Sequence, residues 1–415
     1  MRLAADLHIH SRFSRATSSD LSLYNLVKYA HLKGLSLLGT GDFTHPSWLS
    51  ELKDGLEDDG TGFFKYDGFN FVLSGEISSI YMQGKKLHRI HNILLCPDFE
   101  TAAQINDMLK HKNVNLGADG RPICGIPSHE LVESLKGINP MIEVIPAHAW
   151  TPWFSLFGSK SGFDSMEECF MDQAKNVHAI ETGLSSDPAM NWRLSQLDKF
   201  AMVSFSDAHS FWPWRIGREA TIFEVEKETY ENLIRALRTK EGLVETIEVD
   251  PSYGKYHYDG HRDCNVSMSP GEAKRIANIC PVCRRPLTIG VLHRIEELAD
   301  RPEGFVPKDA KPFRSVIPLS EIIAFALGTN ISSTKVWEEF NKLVDVFGSE
   351  FNVLLEADGE QLKKITKEKI AVLLLKMRSG KINVKPGYDG VYGEIAKDGE
   401  LKRQPPKPQK TLGDF

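Results

Sequence analysis

Asp6-Leu7-His8-Ile9-His10 lies within the first ten residues, directly after a short apolar start. Alternate side chains of a β-strand share a face. Asp6, His8 and His10 therefore point one way, while Leu7 and Ile9 enter the packing. Two imidazoles and a carboxylate on one strand face make half of a transition-metal site. The bland alternative is a strand with two satisfied core histidines. Ligands ending other strands decide between the two.

Residues 1–245 alternate strand-like and helix-like patterns. Positions 21–32 read as a helix, with Asp20 as N-cap and Gly34 near its end. Positions 35–39, 69–74, 90–95, 142–146, 177–181 and 202–206 read as strands, with helices such as 101–110 and 228–239 between them. That rhythm predicts an α/β domain with parallel strands. Asp42 and His45, Glu76, His148, and Asp207 with His209 stand at strand C-termini, the end where α/β barrels gather catalytic groups. Ser206-Asp207-Ala208-His209 repeats the D-x-H spacing of the opening motif. His91 completes the candidate set. Imidazole plus carboxylate suits Zn²⁺, Mn²⁺ or Fe²⁺ better than Mg²⁺ alone. Two such ions roughly 4 Å apart stabilise a phosphoryl transition state, which points to a phosphoester substrate.

Bulk properties agree with a soluble enzyme. The 415 residues are 41% hydrophobic and 26% charged, enough for one large domain and one or two small ones. No apolar run approaches membrane-spanning length, and the first residues do not read as a signal peptide. No membrane partner and a cytoplasmic location are expected. Six Cys in so long a chain do not suggest a disulfide framework. Cys96, Cys124 and Cys169 are scattered and read as buried thiols. The net charge of −6 is uneven: residues 246–415 carry 26 Lys/Arg against 24 Asp/Glu, leaving residues 1–245 at −8. An acidic metal-binding half joined to a slightly basic half suits a hydrolase with an anion-gripping appendage.

Residues 246–310 hold His261-x-x-Cys264 and Cys280-x-x-Cys283, two chelating pairs for a closed, structural zinc. His257 and His293 are the alternatives to His261. Arg262, Arg284 and Arg285 flank the ligands and suit phosphate contacts. Residues 311–395 read as helical, with spans at 317–327, 334–347 and 359–377. There Lys363, Lys364, Lys367, Lys369, Lys376, Arg378, Lys381 and Lys385 surround the apolar run Ile370-Ala371-Val372-Leu373-Leu374-Leu375. This is a helix pair with a basic outer side that could grip a nucleic-acid backbone; the alternative is a merely soluble face. Trp150-Thr151-Pro152-Trp153-Phe154 follows His148, and Phe211-Trp212-Pro213-Trp214-Arg215 follows His209. Rings beside a metal site suit stacking on an extruded base. Trp150, Trp153, Trp212, Trp214 and Tyr81 are the pocket candidates, with loop packing as the alternative for at least half of them. Residues 396–415 form a Pro/Lys-rich tail ending Gln409-Lys410-Thr411-Leu412-Gly413-Asp414-Phe415. Gln409, Leu412 and Phe415 resemble the box Q-x-x-L-x-x-F that docks on the replication clamp PCNA.

Asp6-Leu7-His8-Ile9-His10, Gly39-Thr40-Gly41-Asp42, Gly75-Glu76, Pro146-Ala147-His148 and Phe205-Ser206-Asp207-Ala208-His209 resemble the ordered motifs of the PHP (polymerase and histidinol phosphatase) family. The resemblance covers about 1–245. It implies a distorted parallel (β/α) barrel with two or three divalent ions (Zn, Mn or Mg). It places His8, His10, Glu76 and Asp207 on one catalytic ion. Glu76 would bridge to a second held by His91 and His148, and Asp42 and His209 would hold a third. His45 is the lesser candidate there, because the second motif departs from the usual Thr-Asp-His. Asp6 then falls behind the ligands, holding an imidazole N–H. Barrel, zinc region, helical domain and clamp box, in that order, resemble the endonuclease Q family of DNA-repair nucleases. That implies cleavage 5′ to deaminated bases (uracil, hypoxanthine, xanthine) or abasic sites, leaving 3′-hydroxyl and 5′-phosphate ends. The rival readings are a PHP-type phosphatase of a histidinol-phosphate-like substrate and a non-catalytic, clamp-bound DNA adaptor.

Overall fold

The computed structural model describes residues 1–396. The clamp-box residues Gln409, Leu412 and Phe415 lie outside them. The main sheet runs from Phe313–Val316 through Leu243–Val249, Ala220–Glu224, Arg2–Asp6 and Leu37–Gly39 to Phe69–Gln83. Lys86–Cys96 pairs onto Phe69–Gln83, and Glu143–Pro146 onto Lys86–Cys96. Ala179–Glu181 and Ala201–Val203 form a separate parallel pair.

The expectation of parallel strands needs correction: the fold is α/β, but its sheet is mixed. Arg2–Asp6, Leu37–Gly39 and Phe69–Gln83 are parallel. Arg2–Asp6 meets Ala220–Glu224 antiparallel. Phe69–Gln83 and Lys86–Cys96 form one long antiparallel hairpin. Its two-residue turn, with Gly84 at φ 62, leaves no room for a crossover. Both strands far outrun their expected lengths, and burial on almost every residue of Phe69–Gln83 hides the twofold alternation. Glu76 and His91 therefore stand mid-strand rather than at strand ends. Ser78 pairs with His91, so Glu76, two residues away, shares their face.

Helix Leu23–Lys33 starts at Ser22, whose hydroxyl accepts from the Asn25 N–H, rather than at Asp20. Gly34 ends it at φ 96, returning its N–H to the Ala30 and His31 carbonyls. The expected boundary at 245 falls inside Leu243–Val249, which also pairs with Phe313–Val316. Helices Leu319–Leu327, Thr334–Phe347, Gly359–Ile365 and Glu368–Arg378 share the main core through Leu319, Ile322, Phe340, Leu343 and Leu374. Lys33 and Glu350, both buried, pair across that junction at 2.9 Å. Between the two lies a small module of hairpin Asp259–His261/Val266–Met268 and helices Pro270–Arg275 and Val291–Leu298. Among the described residues no helix is long and apolar enough to cross a membrane.

Candidate metal centre and adjoining cavity

The strands deliver the ligands to one point. Three groups of ligand atoms lie within 4.8 Å of one another: His8/His10/Glu76, Glu76/His91/His148 and His10/Asp207/His209. Glu76 is the hub. Its Oε1 lies 2.8 Å from His91 Nδ1, 3.3 Å from His148 Nε2 and 3.7 Å from His8 Nε2. Its Oε2 lies 3.0 Å from Arg121 Nη1 and 3.5 Å from His10 Nε2. Asp207 Oδ1 is 3.0 Å from His10 Nε2.

Behind the ligands stand carboxylates that fix the rings. Glu181 lies 2.9 Å from His8 Nδ1, which leaves Nε2 facing the centre. The other Glu181 oxygen accepts the His148 backbone N–H at 2.6 Å. Asp42 lies 3.0 Å from His10 Nδ1 and accepts from the Ser11 N–H and the Ser11 and Ser14 hydroxyls. Those partners meet both of its oxygens, and Asp42, expected as a ligand, stands behind His10 and in none of the converging ligand groups. His45 also leaves the ligand set: it precedes helix Pro46–Gly55 and stacks on Phe13 at 4.4 Å. Asp6 holds no imidazole; it accepts from the Ser206 N–H, the Ser206 hydroxyl and the Gly217 N–H, pinning the Asp207 loop.

Electrostatics and strain mark the same point. Burial would raise the Glu76 carboxyl, but His91 and Arg121 outweigh it and hold it well below the usual range. Burial drives His91 down to about 4, against the pull of Glu76. His8 goes the other way: burial lowers it, but Glu181 outweighs burial and holds the ring above its usual value, and an ion bound at Nε2 would take the place of that proton. Asp42, His148 and Asp207 all adopt positive φ, at 46, 30 and 49. Such conformations cost about 1–3 kcal/mol each and cluster at functional sites. Gly183 has no alternative beside His148, since a Cβ there would come within 2.8 Å of the His148 Cβ.

The donor set passes a direct test of fit to metal. His8 Nε2 and Glu76 Oε1 are buried and have no hydrogen-bond partner, yet both face the cluster. An imidazole lone pair and a carboxylate oxygen left in this way are what a divalent cation satisfies. A cavity of about 670 Å³ opens on the cluster, lined by His91, His148, Asp207 and His209 together with Trp153 and Tyr256.

Of the expected base-pocket rings, only Trp153 borders this cavity. Trp150 is buried, donates its indole N–H to Asn191 and stacks on Phe157. Tyr81 is buried between His88 and Phe163, with its hydroxyl near Cys169. Trp212 and Trp214 stack on each other at 5.2 Å and meet Trp337 of helix Thr334–Phe347 at a tilt. Packing claims Trp150 and Tyr81, whereas Trp212 remains exposed and Trp214 half-buried.

In the small module, ligand atoms of His261, Cys264, Cys280 and Cys283 converge within 4.8 Å. His293 is committed to Asp259 at 2.6 Å, and His257 is not in the group. Arg284 and Arg285 are exposed. Lys363, Lys364, Lys367 and Lys369 are all exposed; Lys363 and Lys367 pair with Glu360 and Glu339. Arg378 does not face outward: it donates to the Val353, Leu354 and Ala357 carbonyls and ties the helices together.

Glu181 and Arg121 were not among the expected site residues. Glu181 ends a short apolar strand, the same signal that marked His148. Arg121 lies in an irregular stretch and reaches Glu76 only through the tertiary fold.

Residues 318–381 match the family model described as MJ0043 C-terminal domain. The chain is 30% identical to the uncharacterized protein YqxK of Bacillus subtilis over 413 residues, 95% of this chain and 99% of that protein. It is 35% identical over 259 residues to the uncharacterized protein MJ0043 of Methanocaldococcus jannaschii, a match that spans 60% of this chain and 31% of that longer protein. Two solved structures superpose with a TM-score of 0.86 at 32% identity over 95% of this chain: the lesion-specific endonuclease PfuEndoQ from Pyrococcus furiosus, covered to 95%, and endonuclease Q with a 27-mer duplex substrate carrying an abasic lesion at the active site, covered to 96%.

Proposed function

The chain belongs to the endonuclease Q family, and on that premise we propose a DNA-repair endonuclease that hydrolyses the phosphodiester 5′ to uracil, hypoxanthine, xanthine or an abasic site. The products are 3′-hydroxyl and 5′-phosphate ends. The observation that carries the catalytic part is the convergence of His8, His10, Glu76, His91, His148, Asp207 and His209 on one cavity, with two buried lone-pair atoms left unsatisfied.

Divalent ions (Zn, Mn or Mg) held by these side chains would supply Lewis acidity to the scissile phosphate and lower the pKa of a water nucleophile. The chain's own groups prepare for that role. Glu181 and Asp42 fix the ring orientation of His8 and His10. Arg121 offsets the charge of Glu76. Arg215 and Arg218 on the cavity wall offer guanidiniums to DNA. Arg284, Arg285, Lys364 and Lys369 add exposed cations for backbone contacts. His261, Cys264, Cys280 and Cys283 hold one structural zinc in this reading. Gln409, Leu412 and Phe415 would tether the enzyme to PCNA.

The test is a nicking assay on duplexes with a single uracil, hypoxanthine, xanthine, abasic or normal site, with Mn²⁺, Mg²⁺ or Zn²⁺, and the cut mapped to the nucleotide. Cleavage one phosphate 5′ to the lesion, abolished by His10→Ala, is expected. Cutting on the 3′ side, or equal cutting of undamaged duplex, sinks the reading. Turnover of small phosphomonoesters but no DNA would favour a phosphatase. Truncation after residue 245 cannot separate these alternatives, since it would cut the strand Leu243–Val249.

A further inference from the structure

Lys33 ends helix Leu23–Lys33, and its side chain is buried. Its Nζ lies 2.9 Å from Oε2 of Glu350, which is fully buried on the other side of the junction. The second Glu350 oxygen accepts the Leu319 N–H, the first of helix Leu319–Leu327. Beside it, Ser349 and Phe351 press on Gly34, where a Cβ would come within 2.7 Å of the Ser349 hydroxyl. One ion pair therefore ties the start of the C-terminal helices to the end of the chain's first helix.

The stem of Lys33 extends that tie toward the metal ligands. Gly217 lies so close to it that a Cβ would come within 2.7 Å of Lys33 Cγ, and a φ of 58 at this position suits glycine. The Gly217 N–H donates to Asp6 at 2.8 Å. Asp6 also accepts the Ser206 N–H and hydroxyl, and Arg218 returns Nε and Nη2 to the Ser206 carbonyl. Segment 206–218 is thus closed at its base, with Asp207 and His209 near one end and Gly217 seated on Lys33 at the other. Its Ala208 carbonyl accepts the His10 N–H at 2.9 Å. Burial lowers the Lys33 ammonium against the pull of the carboxylates that face it, Glu350, Asp6 and Glu321.

A fully buried ion pair adds little net stability, because desolvation offsets most of the attraction. What it fixes is direction and distance, which apolar packing leaves looser. Resting on the reading of the site as a metal centre, we propose that Lys33 is a positioning residue: clamped by Glu350, it seats segment 206–218 so that Asp207 and His209 converge on His10. The C-terminal helices then take part in building the metal centre, although among the described residues none of the converging ligands comes from them. The tie joins the helices that carry Lys364 and Lys369 to the loop that carries two ligands, so a slip at the junction reaches the metal.

The test measures Mn²⁺ binding through the EPR signal of the free ion, alongside thermal unfolding. Lys33→Met/Glu350→Gln removes both charges, keeps an unbranched chain along Gly217 and keeps an acceptor for the Leu319 N–H. Its Mn²⁺ dissociation constant should rise about 10-fold, the lower end for residues that stand behind metal ligands. Glu350→Gln alone, in which Lys33 can shed its proton, carries the same expectation should the double exchange not fold. Lys65→Met/Asp59→Asn, which removes an exposed pair of the same 2.9 Å length, should leave the constant unchanged. A constant that stays at the wild-type value while the melting temperature falls makes Lys33 a structural tie alone and overturns the proposal. So does an unchanged constant with an unchanged melting temperature, or an equal rise in the exposed-pair control. A wild-type chain that binds no Mn²⁺ removes the metal-centre reading and the proposal with it, a result distinct from an unchanged constant.

Discussion

The described residues carry two clusters of candidate ligands, and they are held in opposite ways. The catalytic cluster stands on a mixed sheet inside the main core, with Glu181 and Asp42 behind two of its imidazoles. The Cys/His cluster stands on two three-residue strands and a six-residue helix. The apolar core under it consists of Val266, Ala273, Cys280 and Leu287. One of those four is itself a ligand candidate. A core that small cannot offset the conformational entropy of ordering its loops. In the proposed reading packing organises the first cluster, whereas an ion supplies most of what holds the second.

Metal removal tests this contrast most strongly. Structural zinc contributes about 10–16 kcal/mol to the folding of finger-sized units. A strong chelator should open residues 257–290 to limited proteolysis while the melting transition of the rest persists. Cys280→Ser should open the same segment without chelator. Simultaneous collapse of both regions would erase the distinction.

Glu76→Gln probes the other side. It removes the charge shared by His8, His10, His91, His148 and Arg121 while keeping the shape. DNA cleavage should fall about 10³-fold, the upper range for loss of one preorganised electrostatic group. Binding of lesion duplex in a gel-shift assay should persist. A variant that cuts within tenfold of wild type would mean that the hub is not catalytic.

The catalytic region also supports costs that the small module could not. Burial, aided by nearby Asp187, pushes the Glu248 carboxyl up from its ordinary 4.5 to about 8, against hydrogen bonds from Thr246, Ser204 and Thr182. The folded chain thus keeps a proton that the unfolded chain gives up above pH 4.5. Stability from this group is full below about pH 4.5 and is lost as pH rises toward 8, at about 1.4 kcal/mol per unit. Glu248→Gln should raise the unfolding midpoint at pH 8 and leave it near wild type at pH 5. Identical midpoints at both pH values would show that Glu248 does not titrate in this window.

The two clusters were also unequally legible in the sequence. His261, Cys264, Cys280 and Cys283 are short-range pairs, so spacing alone brings them together. His8, His10 and the 207–209 motif were readable because an alternating or strand-end pattern survives in sequence. The hairpin Phe69–Gln83/Lys86–Cys96 was not, because burial on both faces removes the alternation. The roles of Asp42 and Asp6 were beyond reach for another reason. Asp42 looks like a ligand in sequence and Asp6 like an imidazole holder, and only the tertiary fold shows which donors meet their oxygens: Ser11, Ser14 and His10 for one, Ser206 and Gly217 for the other. The same limit applied to the tryptophans, where composition cannot separate a stacking platform from a packed seam.

Glu181 offers the finest test of what distinguishes the clusters, because it is fully buried behind the candidate ligands and does not line the cavity. It holds His8 through Nδ1 and the His148 loop through its backbone N–H, so one side chain positions two ligands. Glu181→Gln keeps a possible acceptor for both but removes the charge that holds the His8 ring. Loss of such an orienter costs about 10- to 100-fold in metal affinity. The concentration of Mn²⁺ giving half-maximal cleavage should rise by that factor, with the rate at saturating Mn²⁺ largely restored. A merely structural role would lower the melting temperature and leave that midpoint in place. An unchanged midpoint would mean that the sheet alone fixes His8, and that the catalytic cluster owes its order to packing without help from its carboxylates.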